Sequence, residues 1–256
     1  MRKLMITLST AAALLSACSG DVKKQELTTA DDFTYQVEKF ADLEILRYQV
    51  PGFEELSLQQ RTLLYYLSQA ALEGRDILFD QNCKYNLQIR RTLEAVYENY
   101  KGDRGDEQFK ALELYLKRVW FSAGIHHHYG SDKFVPGFTP EFFKSALKSV
   151  DASKLPLMEG ETLDALCDEV FPVIFDAKVM AKRVNQADGE DLVLTSASNY
   201  YEGVTQKEAE DFYAKMKNPN DTMPVMFGMN SRLVKENGKI QEKVWKSGGL
   251  YGQAID

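Results

Sequence analysis

An α+β fold is predicted for this chain, with a helix-rich amino-terminal region followed by β-hairpins, and three observations predict it. Apolar residues recur at three- and four-residue steps through most of the sequence, the spacing of helices with one buried stripe. Near the end, Asn237-Gly238 stands between two strand-like segments, the strongest short-range hairpin signal a sequence offers. The helical segments precede the strand-like ones, with no βαβ alternation and no internal repeat, which favours segregated helices and strands over a parallel sheet.

The elements follow in order. Arg2 and Lys3 precede an apolar run, and Leu15-Ser16-Ala17-Cys18 closes it, so residues 1–17 have the layout of a secretory signal peptide. The run is shorter than the roughly 20 residues a helix needs to cross a bilayer. Its final four residues resemble a bacterial lipobox, which makes Cys18 the expected lipidation site and the anchor a covalent one, worth about 0.8 kcal/mol per buried methylene. Residues 18–35 are polar and lack apolar periodicity, as in a flexible tether, and residues 36–256 form the folded lobe.

Within that lobe, residues 53–79 carry Leu56, Leu63, Leu64, Leu67, Ala71 and Leu72 at helical spacing, which predicts a helix with one buried face. Leu87, Ile89, Leu93 and Val96 predict a second helix over 86–100. Phe109, Leu112, Leu116, Val119 and Trp120 predict a third over 107–123, with Gly124 as a left-handed cap. Thr139-Pro140 reads as an N-cap and first-turn proline opening a helix through Val150. A further helix is expected over 161–175, with Pro172 predicting a kink or a stop. Thr205 and Glu208 have capping-box spacing, so residues 206–217 read as a helix ending before Asn218-Pro219. Segments 231–236 and 239–245 then flank the Asn-Gly turn.

Composition bounds the function. The formal charge is −7 and becomes −9 once the cations at positions 2 and 3 leave with the leader. An acidic chain argues against nucleic acid as a partner, because phosphate binding needs clustered Lys and Arg. Cys83 and Cys167 are too far apart for a metal knuckle and read as buried reduced thiols, with a single bridge as the alternative. The three histidines are consecutive, His126, His127 and His128. Neighbouring helical side chains diverge by about 100°, and on a strand only His126 and His128 share a face. A metal site there is the sharper reading and a polar loop after Gly124 the plainer one. Tyr65-Tyr66, Tyr200-Tyr201, Phe134 and Phe138 offer either a peptide-binding groove or core packing. No nucleophile elbow, phosphate loop, dinucleotide fingerprint or HExxH occurs, so no catalytic residue and no metal ligand is assigned.

Three segments carry a resemblance. Gly124-Ile125-His126-His127-His128-Tyr129-Gly130-Ser131-Asp132-Lys133-Phe134-Val135-Pro136 leads toward a helix. Asn199-Tyr200-Tyr201-Glu202-Gly203-Val204-Thr205 leads into the capped helix, and Asn230-Ser231-Arg232-Leu233-Val234-Lys235-Glu236 leads into the hairpin. In order and spacing they resemble the amino-terminal lobe of the dipeptidyl peptidase III family, most closely its bacterial branch, over roughly residues 33–256.

That resemblance implies strands belonging to a β-barrel lobe, in a chain cut before a helical zinc lobe. It implies a zinc exopeptidase that removes dipeptides from the amino terminus of short peptides. The zinc cofactor would be held by an HExxGH helix and a later glutamate, neither of which is in this sequence, so the fragment alone is expected to be inactive. Its expected partners are short peptides and, through Cys18, a membrane of the cell envelope. Two rival readings are a non-catalytic helical binding lipoprotein and an intact metalloenzyme using His126 and His128.

Overall fold

The computed structural model describes residues 33–223 and 225–256. Cys18 and the signal peptide expected over residues 1–17 lie outside the described residues, as does most of the tether. The described residues divide into two compact units, one ending at Val50 and the other beginning at Pro51.

In the first unit, β1 (Gln36–Phe40) and β2 (Leu43–Leu46) form an antiparallel hairpin across a turn at Ala41 and Asp42. Strands therefore occur ahead of the helices, against the expected order. The turn carries no Asn-Gly signal, since Ala41 itself takes a positive φ of 48°, and the strands, five and four residues long with no fully buried side chain, carry too short a pattern to betray them.

The second unit begins with a short 3-10 turn and α1 (Leu58–Glu73), opened by a reciprocal capping box between Ser57 and Gln60. Gly74 separates it from α2 (Arg75–Asn82), so the single helix expected over 53–79 is divided. The expectation of one buried face also fails, because α1 buries no side chain. Leu63, Leu64, Tyr65, Tyr66 and Leu67 are consecutive and at 100° steps wrap the whole helix instead of forming a stripe. Core packing starts at Phe79.

The main core is built by α2, α3 (Asn86–Asn99), α4 (Glu107–Phe121), α5 (Pro140–Ser149) and α6 (Leu163–Phe175). Ile89, Leu93, Leu112, Leu116, Phe143, Leu147, Leu166 and Val170 meet in it. Thr139, with Pro140 in the first turn, caps α5 as its sequence predicts. Helix α6 runs three residues past Pro172, which sits near enough to the end to neither stop it nor cost more than a local bond. At the end of α4 it is Ala123 that adopts the left-handed conformation, φ 50°, while Gly124 has φ 145°. The glycine is required for another reason: a Cβ there would lie 2.2 Å from the Asn86 amide nitrogen.

The remainder holds α7 (Leu192–Thr195), β3 (Tyr201–Glu202), α8 (Gln206–Ala214), β4 (Ser231–Glu236), β5 (Lys239–Val244) and a terminal turn of helix, α9 (Gly252–Ile255). Helix α8 has the Thr205/Glu208 capping box but ends at Ala214, since Met216 and Lys217 turn back with three-residue bonds to Tyr213 and Ala214. The β4–β5 hairpin turns at Asn237-Gly238 with Glu236 opposite Lys239. Strand β3 pairs parallel to β4, Tyr201 against Leu233, so one β–α–β unit exists where none was expected. A two-residue strand carries too little pattern to announce itself. Val204, Ala209 and Leu233 form a second small core beneath it. The architecture is thus α+β, with sheets of two and three strands and no closed barrel among the described residues. No described helix is long and apolar enough to cross a membrane.

Candidate functional site

The histidine run lies in a tight reversal after α4. His126 pairs with Lys133 in an isolated antiparallel bridge, the His127 amide donates to the Asp132 carbonyl at 2.7 Å, and Phe134 donates back to Ile125 at 2.9 Å. His126 is 2% exposed and its Nε2 is 2.7 Å from the Met180 carbonyl. A carbonyl only accepts, so Nε2 carries the proton and donates. Burial pushes this imidazole down to about 4, which keeps it neutral. His127 Nδ1 accepts the amides of Tyr129 and Gly130 at 3.2 and 2.9 Å. One nitrogen of the His126 ring and one of the His127 ring are thus engaged in fixing the turn, while His126 Nδ1 is buried without a hydrogen-bond partner. Among the described residues no three His, Cys, Asp or Glu side chains gather into a metal-holding group.

Lys133, in the same turn, closes the carboxyl end of α6. Its Nζ donates to the Val173 carbonyl at 2.9 Å and to the carbonyls of Asp176 and Val179. A cation at this end meets both the unpaired carbonyls and the negative end of the helix dipole. Partial burial draws its ammonium below the usual lysine range. Of the aromatic candidates, Phe134 and Phe138 are core residues and Tyr65 and Tyr66 stand exposed on α1. Cys83 and Cys167 are buried and unbridged, and burial raises the Cys83 thiol to about 11.

The densest polar constellation was not legible in the sequence. Asp80, on the last turn of α2, accepts at one carboxylate oxygen from Arg232 Nη2 at 2.8 Å, from Asn199 Nδ2 at 3.2 Å and from the Tyr251 hydroxyl. Arg232 Nε also donates to the Asn199 carbonyl at 3.1 Å, and Tyr200 donates to Gln81 at 3.3 Å. The ion pair is largely buried, its side chains 18% and 17% exposed. Tyr251 sits at φ 59°, an uncommon conformation for an aromatic residue, and burial together with Asp80 raises its hydroxyl pKa.

Beside this seam is a cavity of about 310 Å³ lined by Asp80, Lys84, Ser198, Asn199, Glu202 and Arg232 among others. Neither protein-family models nor curated proteins match this chain. The site must therefore be read from its geometry.

That geometry links the three segments singled out in the sequence. The reversal at 126–134 bonds to residues 181–183 through the Lys133 amide to Ala181 and the Arg183 amide to Ser131. Lys182 and Arg183 in turn accept from the amides of Ala197 and Ser198, and the Asn199 amide reaches Gln81 at 2.8 Å. Leu233 then donates to Tyr200 at 2.9 Å, which ties the second segment to the third. One continuous hydrogen-bonded path thus joins residues scattered over more than half of the second unit. Beside it, the Asp80 charge is matched by Arg232.

Proposed function

We propose that this chain is the amino-terminal part of a zinc-dependent dipeptidyl peptidase of the dipeptidyl peptidase III type, exported and lipid-anchored through Cys18. One observation carries the reading: three segments that resemble that family, in its order and spacing, lie along one hydrogen-bonded path through the second unit, the first reaching the second by way of residues 181–183 and the second bonding directly to the third. Its acidic charge and exposed aromatics suit a protein that meets short, cationic peptides rather than nucleic acid.

In this reading the chain supplies the wall of a cleft. Rigid contacts such as Asp80–Arg232 and Lys133 on α6 would hold that wall in place when a second lobe closes on the peptide and excludes water. The zinc would polarise the scissile carbonyl and activate water, and that chemistry belongs to ligands outside these residues.

The experiment compares dipeptide release from an arginyl-arginyl arylamide by the 256-residue chain and by the product of the reading frame extended past Asp256, each with and without a zinc chelator. Chelator-sensitive release by the longer protein alone is the expected outcome. A stop codon immediately after Asp256, or no release by either protein, overturns the peptidase and leaves a binding lipoprotein of the envelope.

A further inference from the structure

We propose that the loop between α8 and β4 binds a soft monovalent metal ion, copper(I), through the thioethers of Met223, Met226 and Met229. Six methionines lie beyond residue 17, and four of them, Met216, Met223, Met226 and Met229, fall within residues 216–229. The last three follow a Met-x-x-Met-x-x-Met spacing and are 82%, 77% and 59% exposed. Methionine ordinarily fills irregular gaps in a core, and single apolar residues scattered on a surface need no explanation. Three copies of one donor atom within seven residues, each on an exposed side chain, are a concentration, not a scatter.

The donor set selects the ion. A thioether is a neutral, polarisable donor that suits copper(I) and is a poor match for hard or borderline ions. Zinc would ask for thiolate, imidazole or carboxylate, and residues 215–230 contain no His or Cys and a single carboxylate, Asp221.

The spacing suits chelation as well. Three residues of extended chain span at most about 11 Å, and two unbranched methionine side chains with three rotatable bonds each can close that span from both ends. The loop is also pinned between two of the donors. Phe227 stacks on Tyr213 of α8, ring centroids 6.2 Å apart and 14° from parallel. Gly228, at φ 77°, brings its backbone so near that a Cβ would lie 2.8 Å from the Tyr213 hydroxyl. Met226 and Met229 therefore flank a fixed point of the backbone and stand out from it into solvent. Coordination uses lone pairs only; no electron is transferred and no proton is released, so affinity is expected to be nearly independent of pH between 5 and 8, unlike a thiolate or histidine site.

The test uses the full chain with Cys18→Ser, so that this thiol does not compete, under anaerobic conditions. Silver(I), a redox-inert ion of the same softness, and then copper(I) are titrated while the methionine methyl carbons are followed by NMR. A single equivalent is expected to shift the methyl signals of Met223, Met226 and Met229 and leave those of Met158 and Met180 in place. The triple variant Met223→Leu, Met226→Leu, Met229→Leu conserves volume and is expected to lose that equivalent with its thermal unfolding unchanged, while Met158→Leu keeps it. Absence of the three methyl shifts, undiminished binding by the triple variant, or displacement by excess zinc overturns the site. Should the triple variant fail to fold, the methyl shifts in the parent chain decide.

Discussion

His126 shows how a residue that invites a functional reading can be consumed by local structure. Its ring is buried, donates to Met180 and is held neutral at about 4, well under its ordinary value. Between that value and about 6.5 the unfolded chain binds a proton that the folded chain refuses, so stability falls as the pH drops through this window, by up to about 1.4 kcal/mol per unit. Urea unfolding at stepped pH is expected to show this slope in the parent and not in His126→Gln. Equal slopes in the two proteins would mean that the ring is protonated in the fold. Asn86 is the quieter case: its amide donates to Phe79 at 3.0 Å and accepts from Ile125 at 3.2 Å, with Gly124 packed against it. The sequence marks Gly124 as special, and only the packing says that the demand is for space beside Asn86 as well as for backbone freedom.

Among the elements, those with a chemical punctuation mark were the most legible. The capping box at Thr205, the Thr139-Pro140 start and the Asn237-Gly238 turn each fix a boundary within a few bonds, and all three appear where local chemistry puts them. Elements specified by distant contacts were not legible. Strand β3 exists because β4 accepts it, and β1–β2 turns on an alanine. Helix α6 lies between these cases, since its stripe is readable but its ending relies on Lys133, forty residues earlier. Lys133→Met leaves three carbonyls at that end without their cation, and we expect a loss of about 2 kcal/mol in thermal or urea unfolding, with Lys133→Arg recovering part of it. A loss no larger than that of an exposed control such as Lys239→Met would remove Lys133 from this role.

For the whole second unit the telling contact is Asp80 with Arg232, 152 residues apart. It joins α2 to β4, with Asn199 and Tyr251 on the same oxygen. Removing one partner strands a charge in a poorly hydrated place, so Arg232→Met is expected to cost about 3 kcal/mol, and the double variant Asp80→Leu, Arg232→Met less than the two single losses combined. Strict additivity in that cycle would show the pair to be uncoupled. The seam borders the 310 Å³ cavity.

The sequence by itself determined the α+β class, helices α3 to α6 of the main core and the hairpin, because apolar period, caps and turn residues act over a few neighbouring bonds. It also singled out three segments whose resemblance to one family motivates the proposed peptidase. Tertiary structure alone decided that α1 buries nothing, that His126 and His127 help fix a turn, that β3 lies parallel to β4, and that Asp80 gathers Arg232, Asn199 and Tyr251. Each of these depends on which distant residues pack together, and that is set by the arrangement of whole elements and by no pattern of neighbours along the chain.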